Sequence, residues 1–332
     1  MPPVSTRKSL VVYLRNGLAN RLRVLASASI LAECAGRNLL VNWIPSKECN
    51  VEWEDLFHTQ IRSCPLPLSG FQVGIDLYND AVIPRCWYQD TPRLAVPSGP
   101  DLVALHTCRN FQPEEMANEA YEEAKSLFYR NLRPVDTVRK TISDMQKRYF
   151  EGRDVIGVHI RRKDHLDFLK KDHRLVCPTN LFVEAMENVL HATPDTKFFL
   201  ATDDEKEEKL IRRLFARAVI VYEKEGSGRN TTKGMQDALV DWLLLSKTSR
   251  IIASYASSFS QEAGMVNRIK TDVIVREGEL SKTHFRMRFA GFFKTHYRVL
   301  KEEGIKQYFR YSYNYRKGQI IEWSRKKMSR SG

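Results

Sequence analysis

The chain has 332 residues, 42% of them hydrophobic and 28% charged, with 16 Gly and 13 Pro, a composition that excludes collagen-like, coiled-coil and disordered chains. That length predicts two domains of about 150 residues each. The net charge of +13 raises a nucleic-acid reading, but residues 281–332 carry 14 Lys and Arg against three Glu, leaving only +2 for everything before them.

No stretch approaches the roughly 20 apolar residues that span a bilayer, and the first ten residues lack the apolar run of a signal peptide, so a soluble, cytoplasmic protein is expected. The six cysteines (Cys34, Cys49, Cys64, Cys86, Cys108 and Cys177) show no C-x-x-C spacing, and free, mostly buried thiols are preferred to a metal site. Disulfides, with Asn230-Thr231-Thr232 as a glycosylation sequon, are the alternative for a secreted chain.

The first apolar run, 9–14, predicts a buried strand; a helix over 21–35, closed by Gly36, and a second strand over 38–41 follow it. Between the first strand and its helix lies Arg15-Asn16-Gly17-Leu18-Ala19-Asn20, a Gly-containing turn at a helix N-terminus that can receive an anion, although it is not the G-x-G-x-x-G fingerprint. Residues 45–112, rich in Pro, Trp and turn residues, read as irregular loops and short strands around an acceptor-facing surface. Helices are predicted from Pro113 to about Leu132 and from Pro134 to about Tyr149, with a junction at 151–153.

The second half alternates regularly. Strands are predicted over 154–160, 197–201, 218–222, 250–254 and 272–275, and helices over 179–191, 204–215, 233–245 and 258–266. Such alternation implies a parallel sheet with helices on both faces and ligands at the carboxyl ends of its strands.

The candidate site residues stand at those ends. Arg161 and Arg162 leave a strand that carries His159, and paired guanidiniums at a sheet edge suit a diphosphate; a solvated basic loop is the competing account. Asp203-Asp204 reads as a D-x-D-like metal site or, preferably, as the cap and first-turn acid of the next helix. Asp237 and Asp241 lie four apart on one helical face, where a carboxylate can accept N1–H and N2–H from guanine or can simply face solvent. Ser257 and Ser258 are N-cap candidates whose helix start can also cradle a phosphate.

Taken in order, Gly-Leu-Ala-Asn-Arg-Leu, His-Ile-Arg-Arg-Lys-Asp, Ala-Thr-Asp-Asp, Leu-Val-Asp-Trp-Leu-Leu-Leu-Ser and Ser-Ser-Phe-Ser resemble the motifs of the fucosyltransferase superfamily across residues 10–276. The superfamily includes α1,6-fucosyltransferases, Nod-factor fucosyltransferases and protein O-fucosyltransferases. The resemblance implies an α/β chain of GT-B fold, two Rossmann-like domains (1–150 and 151–280) facing a cleft. It also implies inverting transfer from GDP-fucose to a glycan or protein hydroxyl, with no metal ion and no cofactor beyond the donor. In that reading Arg161, with Arg162 beside it, holds the donor phosphates; His159 and Asp241 contact guanine; and Ser257 or Ser258 lies near the phosphates. Gly17 and Asn20 belong to the loop that closes over the donor, and the adjoining Arg21 and Asp203 are further donor-binding candidates. The sequence departs from the α1,6 enzymes at Leu169, where the resemblance places a glutamate serving as general base. Asp164 and Asp167 are the nearest carboxylates that can take its place, and Asp164 can instead hold the arginines.

Residues 281–332 form a third, basic and aromatic segment. Phe285, Phe289, Phe292, Phe293, His296, Tyr297 and Leu300 recur at helical spacing, which predicts a helix packed on the body and ending at Gly304. Its charge and aromatics also suit an anionic membrane surface or single-stranded nucleic acid. The rival readings of the whole chain are a transferase for another nucleotide sugar and, ranked below the enzyme, a nucleic-acid-binding protein on a degenerate transferase fold.

Overall fold

In chain order the first half comprises β1 (Ser9–Leu14), α1 (Leu18–Cys34), β2 (Asn38–Asn42), β3 (Gly74–Asp76), β4 (Arg93–Leu94), β5 (Leu102–Thr107), β6 (Gln112–Pro113), α2 (Asn118–Asn131) and α3 (Asp136–Met145). A π-helical turn, Gln146–Phe150, follows α3. The second half comprises β7 (Val155–Ile160), α4 (Thr179–Ala192), β8 (Lys197–Thr202), α5 (Glu205–Leu214), β9 (Val219–Val221), α6 (Thr232–Leu245), β10 (Ile251–Ser254), α7 (Ser258–Val266) and β11 (Thr271–Ile274). The computed structural model describes residues 8–65, 74–76 (backbone alone), 91–96, 98–162, 177–225 and 228–275. The expected third segment, 281–332, and Cys86 lie outside the described residues.

Both main sheets are parallel. Their strand orders are β2-β1-β5-β3 and β11-β10-β7-β8-β9. Each begins at an inner strand and builds to both sides of it, β2 to one side of β1 with β5 and β3 to the other, and β8 and β9 to one side of β7 with β10 and β11 to the other, which creates a switch point between β1 and β5 and another between β7 and β10. The strands read as continuous apolar runs because helices cover both faces: all six residues of β7 are buried. Ile156, Val158 and Ile160 pack with Phe182, Met186 and Ile211 of α4 and α5, whereas Val155, on the opposite face, joins a core with Leu239, Trp242 and Leu245 of α6. Gly157 sits where α6 ends against β7; a Cβ there would come within 2.9 Å of both Leu245 Cδ2 and Thr248 Oγ1.

The core on the α6 face is continuous with that of the first half, from Leu10 and Leu22 through Tyr129 to Trp242. Helix α7 packs against α1, α2 and α6, and α3 packs against α6. This explains why α1 is buried on nearly every side and carries small and apolar residues all round rather than a single stripe.

Most expected elements lie within three residues of the observed ones. Two differ in kind. The helix expected from Pro113 begins at Asn118, and Gln112–Pro113 instead pairs with Arg93–Leu94. The Gln112 side chain is buried and donates to Met116 O at 3.2 Å and Asn118 Oδ1 at 2.9 Å, which ties this stretch down as an extended segment. The irregular region 45–112 contains β5, a central strand whose Val103, Ala104 and Leu105 are fully buried.

Candidate active site at the switch point of the second sheet

Strand β7 delivers Arg161 to the carboxyl edge of the sheet. Its backbone N–H donates to Ser254 Oγ at the end of β10, at 3.0 Å, so one hydrogen bond closes the switch point. Its guanidinium pairs with the Asp203 carboxylate at the end of β8. The other Asp203 oxygen accepts the Arg162 backbone N–H at 2.8 Å. Asp203 is therefore an anchor for both arginines, while Asp204 is the N-cap of α5, accepting from Lys206 N and Glu207 N. The preferred cap reading holds for Asp204 and not for Asp203.

The two arginines are used differently. Arg162 turns into the protein, where it donates through Nε to Glu207 at 2.7 Å, through Nη1 to Cys177 O at 2.9 Å and through Nη2 to Thr179 Oγ1 at 3.0 Å. Its side chain is 7% exposed and lies over the Phe182 ring. Arg161 retains partial exposure at the edge. Only the first guanidinium stands where a ligand at the switch point can meet it.

His159 precedes the arginines on the α7 side of the sheet, buried and stacked on Phe259 with ring centroids 5.0 Å apart. Ser257 is the N-cap of α7 and Ser258 its first residue. Among the described residues the Ser257 side chain makes no capping bond, so the first-turn N–H groups of α7 are not satisfied by it and can receive an anion.

Asp241 of α6 is 5% exposed. Lys224, in the loop after β9, donates to its Oδ2 at 2.9 Å and to Thr202 O at 2.8 Å. Burial pushes the Asp241 carboxyl up to about 6, against the lowering pull of Lys224. Asp237, one turn earlier, accepts from Tyr222 Oη at 2.7 Å and is bound into the fold. Sequence reasoning missed Lys224 and Glu207. Lys224 sits in a charged loop without a motif, whereas Glu207, three residues after the Asp204 cap, bears a capping-box spacing that marks it.

In the first half, Gly17 is the N-cap of α1 and follows Asn16 at φ +65°; Asn20 is half-buried in the first turn. Arg21 is 1% exposed. It donates to Asn16 O, Ile44 O and Ser46 Oγ, and its guanidinium stacks over Trp43, so this side chain organises the loop from within. The turn beyond Ser46 reaches the second half, where Asn50 bonds Arg229 O and Asn230 O at 3.0 Å each.

A buried polar cluster joins the halves behind the site. Glu262 of α7 accepts from Lys125 Nζ at 2.7 Å, Tyr129 Oη at 2.7 Å and Asn110 Nδ2 at 3.2 Å. Lys125 and Glu262 are 1% and 2% exposed. Asp164 and Asp167 lie outside the described residues. Among the described residues no cluster of three or more His, Cys, Asp or Glu is arranged to hold a metal, and no helix is long and apolar enough to cross a membrane.

No protein-family model matches the chain, and no curated protein sequence matches it. Solved structures do. Fucosyltransferase NodZ from Bradyrhizobium is similar at 20% identity and TM-score 0.54, over 82% of this chain and 97% of that one. Arabidopsis thaliana FUT1, solved as a single-substitution variant with GDP, is 16% identical with TM-score 0.51, over 80% and 70% of the two chains. POFUT1 in complex with GDP-fucose is 9% identical with TM-score 0.52, over 82% and 99%. The fold of this chain is thus the GT-B fold of the fucosyltransferases, with two parallel α/β halves and a switch-point edge in each.

Proposed function

We propose that the chain is a glycosyltransferase that binds a GDP-sugar at the β7/β10 switch point and transfers the sugar, with inversion, to a glycan or protein hydroxyl. The observation that carries this reading is Arg161, fixed between Ser254 and Asp203 at that edge, beside the uncapped start of α7. The guanidinium and the α7 N–H groups supply fixed positive charge for a departing diphosphate. Asp241 is the acceptor for the guanine base, and His159 forms part of the wall beside it. GDP-fucose is the assigned donor because similar folds were solved with GDP or GDP-fucose bound.

In the transfer, the acceptor oxygen attacks the anomeric carbon as its bond to the β-phosphate oxygen breaks, and the acceptor proton passes to a carboxylate. Asp164 or Asp167 is the assigned base. Arg161 serves as the charge that a metal ion would otherwise supply. Arg162 is assigned a positioning role rather than the catalytic one its adjacency suggests.

A panel of nucleotide sugars, screened by thermal shift and by hydrolysis in EDTA, tests the reading. GDP-fucose should stabilise the protein and release GDP. Selective response to a UDP-sugar, or dependence on Mn²⁺, would overturn it.

A further inference from the structure

Asp241 has two oxygens with different fates. Oδ2 accepts from Lys224 at 2.9 Å, and Oδ1 is buried without a hydrogen-bond partner among the described residues. A buried acceptor left unsatisfied costs stability, and within a ligand edge it marks a place for a donor from outside the chain. Lys224 is itself pinned by Thr202 O at 2.8 Å, next to the Asp203 that holds Arg161. Arg161, Asp203, Lys224 and Asp241 thus alternate in charge along the edge.

We propose that Lys224 is a positioning residue for base recognition: by holding Asp241 Oδ2 it keeps the carboxylate ionised and offers Oδ1 to a ring N–H of the nucleotide base. The inference rests on the reading of this edge as a GDP site. The charged groups acting on Asp241 are Lys224 from the loop after β9, Glu208 from α5 and Asp237 on α6 itself, the last held by Tyr222 and Lys233. Asp203 lies on the far side of Lys224. Lys224 is the one cation in this set that bonds Asp241 directly, and both acids oppose ionisation. Base binding is therefore present above the Asp241 titration and is lost as pH falls through it. Removing Lys224 moves that loss to higher pH.

The test is calorimetric titration of GDP into the full chain between pH 5 and pH 8.5. Wild type should lose affinity as pH falls through about 6. Lys224→Met should bind roughly tenfold more weakly at pH 7 and recover toward wild type at pH 8.5, and Lys224→Arg should restore the wild-type profile. A Lys224→Met profile parallel to wild type, or a loss equal at every pH, overturns the proposal while leaving the GDP site standing. Wild type that binds no GDP at any pH removes the site and the proposal together.

Discussion

Ser254 Oγ accepts the Arg161 backbone N–H at 3.0 Å, linking the end of β10 to the end of β7 across the switch point of the second sheet. The bond fixes where the Arg161 side chain departs and leaves its charge to Asp203 and to any ligand. An arginine held by its backbone is preorganised without being buried, which is what stabilising developing charge requires.

Arg161→Ala should lower kcat by on the order of a hundredfold or more, because the guanidinium strengthens its grip as charge builds on the departing diphosphate. Lys should rescue poorly, since a point charge cannot reproduce two parallel hydrogen bonds. Stability should fall less than in Arg162→Met, because Asp203 keeps the Arg162 N–H as a partner. Steady-state kinetics with a melting curve on the same preparation decide it, and full turnover in the variant would remove Arg161 from the chemistry.

Arg162→Met should show the opposite pattern. It strips Glu207, Thr179 and Cys177 O of a shared donor and leaves a largely buried carboxylate behind. Breaking such a pair costs about 3 kcal/mol or more. Urea denaturation should reveal that loss, whereas a variant as stable as wild type but inactive would return Arg162 to direct contact with the donor.

Lys125 and Glu262 couple the halves, so neither half should tolerate losing one partner alone. Lys125→Met leaves Glu262 charged and 2% exposed, at a cost of about 3 to 5 kcal/mol. Lys125→Met combined with Glu262→Leu should recover a substantial part of that cost, because no uncompensated charge remains. Strictly additive losses in the double-mutant cycle would mean that the pair does not act as a unit.

The legible parts of the site are those where a local pattern and a tertiary position coincide. Arg161, Asp203, Ser257 and Ser258 stand at ends of apolar runs, and a parallel sheet brings its strand ends to one edge. Arg162 was legible as a charge but not as a buried one, because its partners come from two other places in the chain, Cys177 and Thr179 at the start of α4 and Glu207 in α5. Lys125 and Glu262 look like polar faces of amphipathic helices; only the packing of α2 on α7 shows them to be interior. Strand β5 was masked because its apolar core lies among Pro- and turn-rich neighbours, and Gln112–Pro113 looked like a helix start because Pro-Glu-Glu is one when nothing holds the chain extended.

Asp241 carries the remaining prediction, because its burial sets binding against stability. Its carboxyl titrates at about 6 in the fold, against an ordinary 3.8. Between those values the folded chain holds a proton that the unfolded chain releases, so stability falls as pH rises through the window. A displacement of about two units corresponds to about 3 kcal/mol. Asp241→Asn cannot ionise and escapes that loss. Its stability relative to wild type should therefore improve by about 2 kcal/mol between pH 4 and pH 7, measured by urea denaturation at each pH. At pH 7 the variant should bind GDP at least tenfold more weakly than wild type, with UDP affected less, because the charged acceptor for a ring N–H is gone. A stability difference that does not change with pH would mean that Asp241 titrates as it does in water, and equal small effects on GDP and UDP would return this carboxylate to a structural role.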